Sequence, residues 1–424
     1  MKNFIWLYLL LLAWQVHGQD SAVLSLAEVQ QRAREHYPLL PQKQVWEQIL
    51  RLQLQHTNSA YRPQAELNGQ ATYQSEVTQV PIQVPGINIP AIAKDQYKAT
   101  IDIRQLLYDG GMARDQRALQ TVQQQAEQQQ VEVELYKVKQ QVTQSYFNAL
   151  LAEAYISTAL SAQEDIRQRI EKLEAGVQNG TVLPSNVDLL KAEQLKARQQ
   201  EISARASRQA ALDIMGLLTD QALAGAVKLV MPASVSTLEK KGMEVIQRPE
   251  LQLYQLRAGI LDRQLQLSTN KQRPRISAFV QGGYGRPGLN MLENQFRGYY
   301  MGGVRLNWTL WNWHYDRTER QILRLQQQNI WHQEETFTLN TRLQLTQQAA
   351  EIGQLQETLV MDKDIIALRS RVKMAAAAQL DNGVITVHDY LTDLNAEIQA
   401  GITQRTHEIQ LALAHINYQL TKGN

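Results

Sequence analysis

Side chains able to do chemistry are few in this chain, and their spacing suits charge more than bond making. There is no phosphate-binding glycine loop, no GxSxG elbow and no HExxH; the 8 His residues are scattered without ligand spacing, so no metal site is expected. Cysteine is absent, which removes thiol nucleophiles, Cys-ligated zinc, iron–sulfur clusters and disulfides together. Asp389 and Asp393 stand four residues apart in a helical stretch and therefore share one face. Carboxylates so placed can gather cations. Glu334-Glu335 and the pair Asp362 and Asp364 read as solvated helix faces, not acid–base partners. No cofactor is implied and no catalysis is expected.

The elements that carry these residues show first in the composition. The chain has 424 residues, with 43 Lys+Arg against 41 Asp+Glu. The formal charge of +2 gives no global pull toward nucleic acid, and basic residues interleave with glutamine instead of forming a patch. Glutamine is about one residue in seven, a long-helix composition together with Ala, Leu, Glu, Lys and Arg. A mean hydropathy of −0.38 excludes a helical membrane protein. Residues 1–18 read as a secretory signal peptide: Lys2, an apolar run from Phe4 to Trp14, then Val16 and Gly18 before a cut at Gln19. The run is too short to cross ~30 Å of hydrocarbon as a helix. A mature chain in a membrane would have to cross it as strands.

Residues 24–60 read as helix, with irregularities at Pro38 and Pro41. Over 62–76 the chain alternates: Ala65, Leu67, Ala71 and Tyr73 face one way and Gln64, Glu66, Asn68 and Gln70 the other, which is a two-faced strand. A second strand, 96–108, sets Tyr97, Ala99, Ile101, Ile103 and Leu107 against Lys98, Thr100, Asp102 and Arg104. A Pro-rich apolar loop, 77–95, joins them. Asp109-Gly110-Gly111 ends the strand, and a helix is expected over 112–176, ~98 Å at ~1.5 Å per residue. Its apolar residues form a narrow seam. Asn179 to Pro184 is a turn; a helix follows over 185–217, then a less periodic linker over 219–238. The pattern then restarts: helix 239–271, strands 273–285 and 298–311, long helix 316–380, a turn at Asp381-Asn382-Gly383, and helix 388–420.

The halves 19–218 and 239–421 are thus one unit repeated. Arg62-Pro63 matches Arg273-Pro274. Val304 follows Ile101 by 203 positions, and Gly383 follows Gly180 by the same 203. Four alternating strands with open edges would expose apolar side chains and unpaired backbone. In lipid only a closed barrel satisfies strand backbone, so several chains must share one. Polar faces would line a wet lumen and apolar faces would meet lipid. Trp308, Trp311 and Trp313 gather at one strand end and read as an interfacial aromatic belt, with ordinary packing the other reading. Two short helices stacked end to end beside each long one would make a uniform helical wall. The expected fold class is an α+β membrane protein, a long α-helical barrel of coiled-coil-like hairpins plus a β-barrel to which each protomer gives four strands.

At this point the sequence resembles the TolC family of outer-membrane efflux proteins. The residues that carry it are Arg62-Pro63, Arg273-Pro274, Leu107-Tyr108-Asp109-Gly110-Gly111 and the tip segments from Asn179 to Asp188 and from Asn382 to Leu391. The resemblance implies a homotrimer with a shared barrel of about 12 strands in the outer membrane of a Gram-negative cell. It implies a helical tunnel through the periplasm, with 219–238 as an equatorial linker. The tunnel's far end would dock a periplasmic adaptor (a membrane fusion protein) and through it an inner-membrane pump. The function implied is a passive efflux or type I secretion duct. The docking tips would be Gly180, Thr181, Val182, Leu183 and Pro184, with Gly383, Val384, Ile385 and Thr386. Asp389 lies where the family's second tip commonly carries an acid; with Asp393 in three copies it would form an acidic ring that gates the periplasmic end. Asn186 holds the matching place in the first repeat, where an aspartate is familiar. Trp311-Asn312-Trp313 also lacks the paired glycines of the first junction. The competing readings are a periplasmic coiled-coil adaptor or structural rod without a pore, which needs no lipid-compatible strands, and an exported enzyme, which lacks a site.

Overall fold

The computed structural model describes residues 23–78, 93–223, 227–232 and 245–423. The expected signal peptide lies outside them, as do most of loop 77–95 and parts of 219–238. In chain order the elements are β1 (Val23–Leu24), α1 (Leu26–His36), α2 (Gln42–Ser59), β2 (Gln64–Tyr73), β3 (Asp95–Tyr108), α3 (Met112–Gln178), α4 (Pro184–Thr219), β4 (Lys228–Leu229), α5 (Pro249–Asn270), β5 (Arg275–Arg286), β6 (Arg297–Asn307), α6 (Tyr315–Asp381) and α7 (Val387–Lys422). Among the described residues no helix is long and apolar enough to cross a membrane.

The expected helix 24–60 is two helices. Pro38 and Pro41 remove amide donors and disfavour helical geometry before them, and Tyr37 is already extended. Ser25 and Glu28 start α1 with a reciprocal capping box. The expected helix 239–271 starts only at Pro249, whose fixed φ suits a first helical turn. The repeat holds for whole helices: α3 and α6 each have 67 residues, and α4 and α7 each have 36. Both hairpins turn alike. Gly180 and Thr181 donate to the carbonyls of Val177 (3.0 Å) and Gly176 (2.9 Å); Gly383 and Val384 donate to Leu380 (3.0 Å) and Gln379 (2.9 Å). Gly180 (φ 71°) and Gly383 (φ 69°) take the left-handed conformation that ends a helix this way.

The main sheet runs β2-β3-β5-β6, antiparallel throughout, and leaves β2 and β6 as edges with no further strand partner among the described residues. Its register puts Leu67, Ile101, Ile103, Val280 and Val304 on one face. Leu67 is 77% exposed and Val304 68%, so among the described residues nothing covers those positions. The opposite face carries Glu66, Asp102 and Gln281 in one row. Asp102 accepts from Asn68 (2.8 Å) and Thr100 (2.9 Å) and also from the Gln281 amide. Two expectations change. β3 bulges between Leu106 and Tyr108, so Leu107 leaves the alternation and Tyr108 stands opposite Ile276. β6 ends at Asn307 rather than 311, because Trp308 leaves the ladder and its indole N–H donates to the Gln272 carbonyl at 3.0 Å.

The chain divides into two units. One holds the described residues of Met1–Pro41, Val131–Pro249 and Thr336–Asn424, and the other those of Gln42–Gln130 and Glu250–Glu335. In the first, β1 pairs in parallel with β4, which lies inside the 219–238 segment, and covers a core that includes Val142, Phe147, Leu212 and Met215. Tyr146 is fully buried there. Its hydroxyl lies 2.8 Å from the Leu24 carbonyl and 2.7 Å from that of Val230, and accepts the Val230 N–H at 2.9 Å. Burial pushes this phenol up to about 12, so it stays a neutral donor. We expect Tyr146→Phe to strand a buried carbonyl and cost ~1–3 kcal/mol, read as a lower denaturant midpoint.

Candidate functional site

The tips of both hairpins lie in the first unit. Ile166 and Ile170 of α3 and Leu190 of α4 share one apolar core with Leu380 of α6 and Val387, Tyr390 and Leu394 of α7. Leu190 and Leu394 are wholly buried in it. The two hairpins of one chain are therefore joined near their tips by packing.

A charged latch crosses the same junction. The Arg169 side chain on α3 is 12% exposed, stacks 4.9 Å over the Tyr390 ring and donates to Asp381 at 2.6 Å. Lys172 adds a looser contact to Asp381 at 3.7 Å. Lys373 of α6 donates to Asp165 of α3 at 2.6 Å and lies 3.8 Å from Glu397 of α7. Burial works against the Lys373 ammonium, but Asp165 and Glu397 outweigh it and hold its pKa above the usual lysine value. Sequence reasoning did not single out Arg169, Lys373, Asp165 or Asp381. The available signal was that Arg169 falls three residues after Ile166, on the side of the apolar seam.

The expected gate residues sit beside this latch. Asp389 is exposed and tied into its own helix end, accepting from the Thr386 hydroxyl at 2.7 Å and the Thr386 N–H at 3.1 Å. Those bonds hold its carboxyl below the usual aspartate range, so it is charged at neutral pH. Asp393 is half-buried one turn further along α7 and has no hydrogen-bond or ion-pair partner among the described residues. Asn186 is half-buried in the first turn of α4. At the turns, Leu183 and Val384 point outward, 69% and 70% exposed. Val182 packs on Gly176, where a Cβ would come within 2.7 Å of it. Thr181 donates to the Gly176 carbonyl at 3.0 Å, and Ile385 packs on the shared core.

Trp308, Trp311 and Trp313 lie past the end of β6 in the second unit, all exposed, with Trp311 and Trp313 meeting edge to face at 5.8 Å. One reading of the acidic residues is corrected. Asp362, expected on a solvated face, is buried and bonded to His407 Nδ1 at 2.6 Å. A buried carboxylate is tolerated where a neighbouring helix supplies such a partner.

A four-stranded sheet built two strands per repeat, with a long-and-short helical hairpin after each pair, is the fold of the TolC-type outer-membrane channels. Solved structures share it across nearly the whole chain. The outer membrane protein VceC from Vibrio cholerae matches with a TM-score of 0.67 at 15% identity, over 93% of this chain and 95% of that one. The Campylobacter jejuni CmeC outer membrane channel matches at 0.66 and 14%, over 94% and 86%. The outer-membrane channel OprN matches at 0.71 and 15%, over 94% and 89%. No protein-family model matches the chain, and no curated protein matches it in sequence. The chain therefore has the fold of these channels.

Proposed function

We propose that this chain is the outer-membrane channel component of a tripartite efflux or type I secretion system, a passive trimeric duct across the outer membrane and periplasm. The observation that carries the reading is the sheet: one apolar face, one polar face and two open edges. One chain cannot close it. Three copies joined β2 to β6 would give a barrel of about 12 strands with its polar face inward. The helical hairpins would continue the duct, and the exposed Leu183 and Val384 at the turns would meet a periplasmic adaptor. An inner-membrane pump would supply the work, so this chain needs no catalytic group. Electron microscopy and the mass of detergent-extracted protein test the duct. A threefold tube supports it. A soluble, monomeric rod would return the poreless adaptor or scaffold reading.

Within this duct, Asp389, Asp393 and Asn186 would surround the periplasmic opening. Asp389→Ala with Asp393→Ala should raise single-channel conductance and antibiotic leakage, by removing the acidic ring together with the Asp389 half of the capping box on α7, the Thr386 cap itself remaining. Unchanged conductance and leakage would remove the acidic gate and leave the duct standing.

A further inference from the structure

Five arginines line one open cavity of about 650 Å³ in the second unit, at the junction of strands and helices. Arg114 comes from the start of α3, Arg263 from α5, Arg273 from the segment entering β5, and Arg320 and Arg324 from one face of α6. Among the described residues the only acid lining the cavity is Asp115, which is buried and already bound by Arg114 at 2.8 Å and by the Asn270 amide. Arg263 donates to neutral Gln266 at 3.0 Å, and Arg273 donates to the Gly110 carbonyl at 3.3 Å. Arg320 and Arg324 have no hydrogen-bond or carboxylate partner among the described residues. The nearest acids along the helices are engaged elsewhere. Glu319 takes Lys271 at 2.7 Å and Ser268 at 2.6 Å, Asp316 takes Gln272 at 2.9 Å, and Asp262 takes Gln327 at 2.7 Å.

Guanidinium groups keep their charge at any ordinary pH and present planar forks that fit the paired oxygens of phosphate. The starts of α3 and α6 add positive dipole ends; the end of α5 opposes them, but the four guanidinium charges left after Arg114 is set against Asp115 outweigh one partial charge. The cavity falls within the ~300–1,000 Å³ of small-ligand clefts. We infer that this arginine-lined cavity binds a phosphate-type oxyanion, with Arg320 and Arg324 as its principal ligands. Two sources carry that group. A phospholipid headgroup fits if the strands cross a bilayer, and that source rests on the channel reading. A free phosphate-bearing solute needs no membrane.

The test uses the whole chain, purified in detergent, in two arms. Dioleoylphosphatidylglycerol is titrated by native mass spectrometry, and inorganic phosphate by calorimetry. Arg320→Gln with Arg324→Gln should weaken binding about tenfold or more in whichever arm shows it, as expected for lost charge-assisted bonds. The same loss of charge at Arg369 and Arg371, exposed on α6 far along the chain, should change neither arm. Lipid binding alone identifies the headgroup source, and phosphate binding identifies a solute source. Binding in neither arm overturns the site, as does an equal loss in the Arg369 and Arg371 variant. Arg114 is left intact because removing it would uncover buried Asp115. Arg263→Gln serves as the second variant if the first does not fold. Trimer mass, measured alongside, separates failure of this site from failure of the channel reading.

Discussion

Arg169→Ala should open the helical end of the proposed duct, raising conductance in planar bilayers and the entry of large antibiotics into cells. Arg169 ties α3 to the end of α6 through Asp381 and to α7 through the Tyr390 ring. Any movement that separates the two hairpins must break both contacts. The stacked cation is worth ~1 kcal/mol at a partly desolvated site. The ion pair adds ~1 kcal/mol, held low because the Asp381 side chain is 44% exposed. Together, ~2 kcal/mol shifts a closed-to-open ratio about thirtyfold. Arg169→Lys should recover the charge but not the planar stacking, and so fall between the two. The apolar core beneath remains in either variant, so the hairpins should stay folded and the change should be one of population. Bilayer currents and leakage equal to those of the unaltered protein would show that the latch does not hold the closed state.

The fold class was legible because two periods alternate along the chain. Period two over 62–76 and 96–108 marks half-buried strands, and a narrow helical seam marks the long helices. The matched turns at Gly180 and Gly383 made the duplication visible, since both need a residue that tolerates positive φ. Other features carry no such signal. The bulge at Leu107 inserts one residue without disturbing the visible alternation until the partner strand is known. The break between α1 and α2 was signalled only by its prolines. The latch was hidden more deeply. Arg169 and Asp381 are 212 positions apart, and Lys373 and Asp165 are 208 apart. In one sequence, each looks like a polar interruption of a seam. The same holds for Asp362, whose histidine lies on another helix. Charge on an apolar seam becomes interpretable only when a second helix supplies its partner.

The two strand-to-helix junctions point to opposite effects of glycine. Gly110 (φ 74°) and Gly111 (φ 90°) match Trp313 (φ 53°) and His314 (φ 65°), each pair in the left-handed region. The backbone is repeated although the residues are not. A side chain in that region costs ~1–2 kcal/mol per residue. Trp313→Gly with His314→Gly should therefore stabilise the protein by ~1–3 kcal/mol, after the greater chain entropy of glycine is set against the relieved strain. Gly110→Ala should do the reverse. It meets the same conformational penalty, and its Cβ would lie 2.7 Å from that of Arg273, for a total cost of ~2–4 kcal/mol. Denaturant midpoints in one detergent would measure both. Retaining Trp313 against this strain calls for a compensating use. The residue is 84% exposed and stands beside Trp311, as the aromatic-belt reading requires. The glycine variant should then gain stability in detergent and lose retention in the outer-membrane fraction. Greater stability with full retention would leave the belt reading without support. No gain in stability would mean that the second junction relaxes its strain through the surrounding chain.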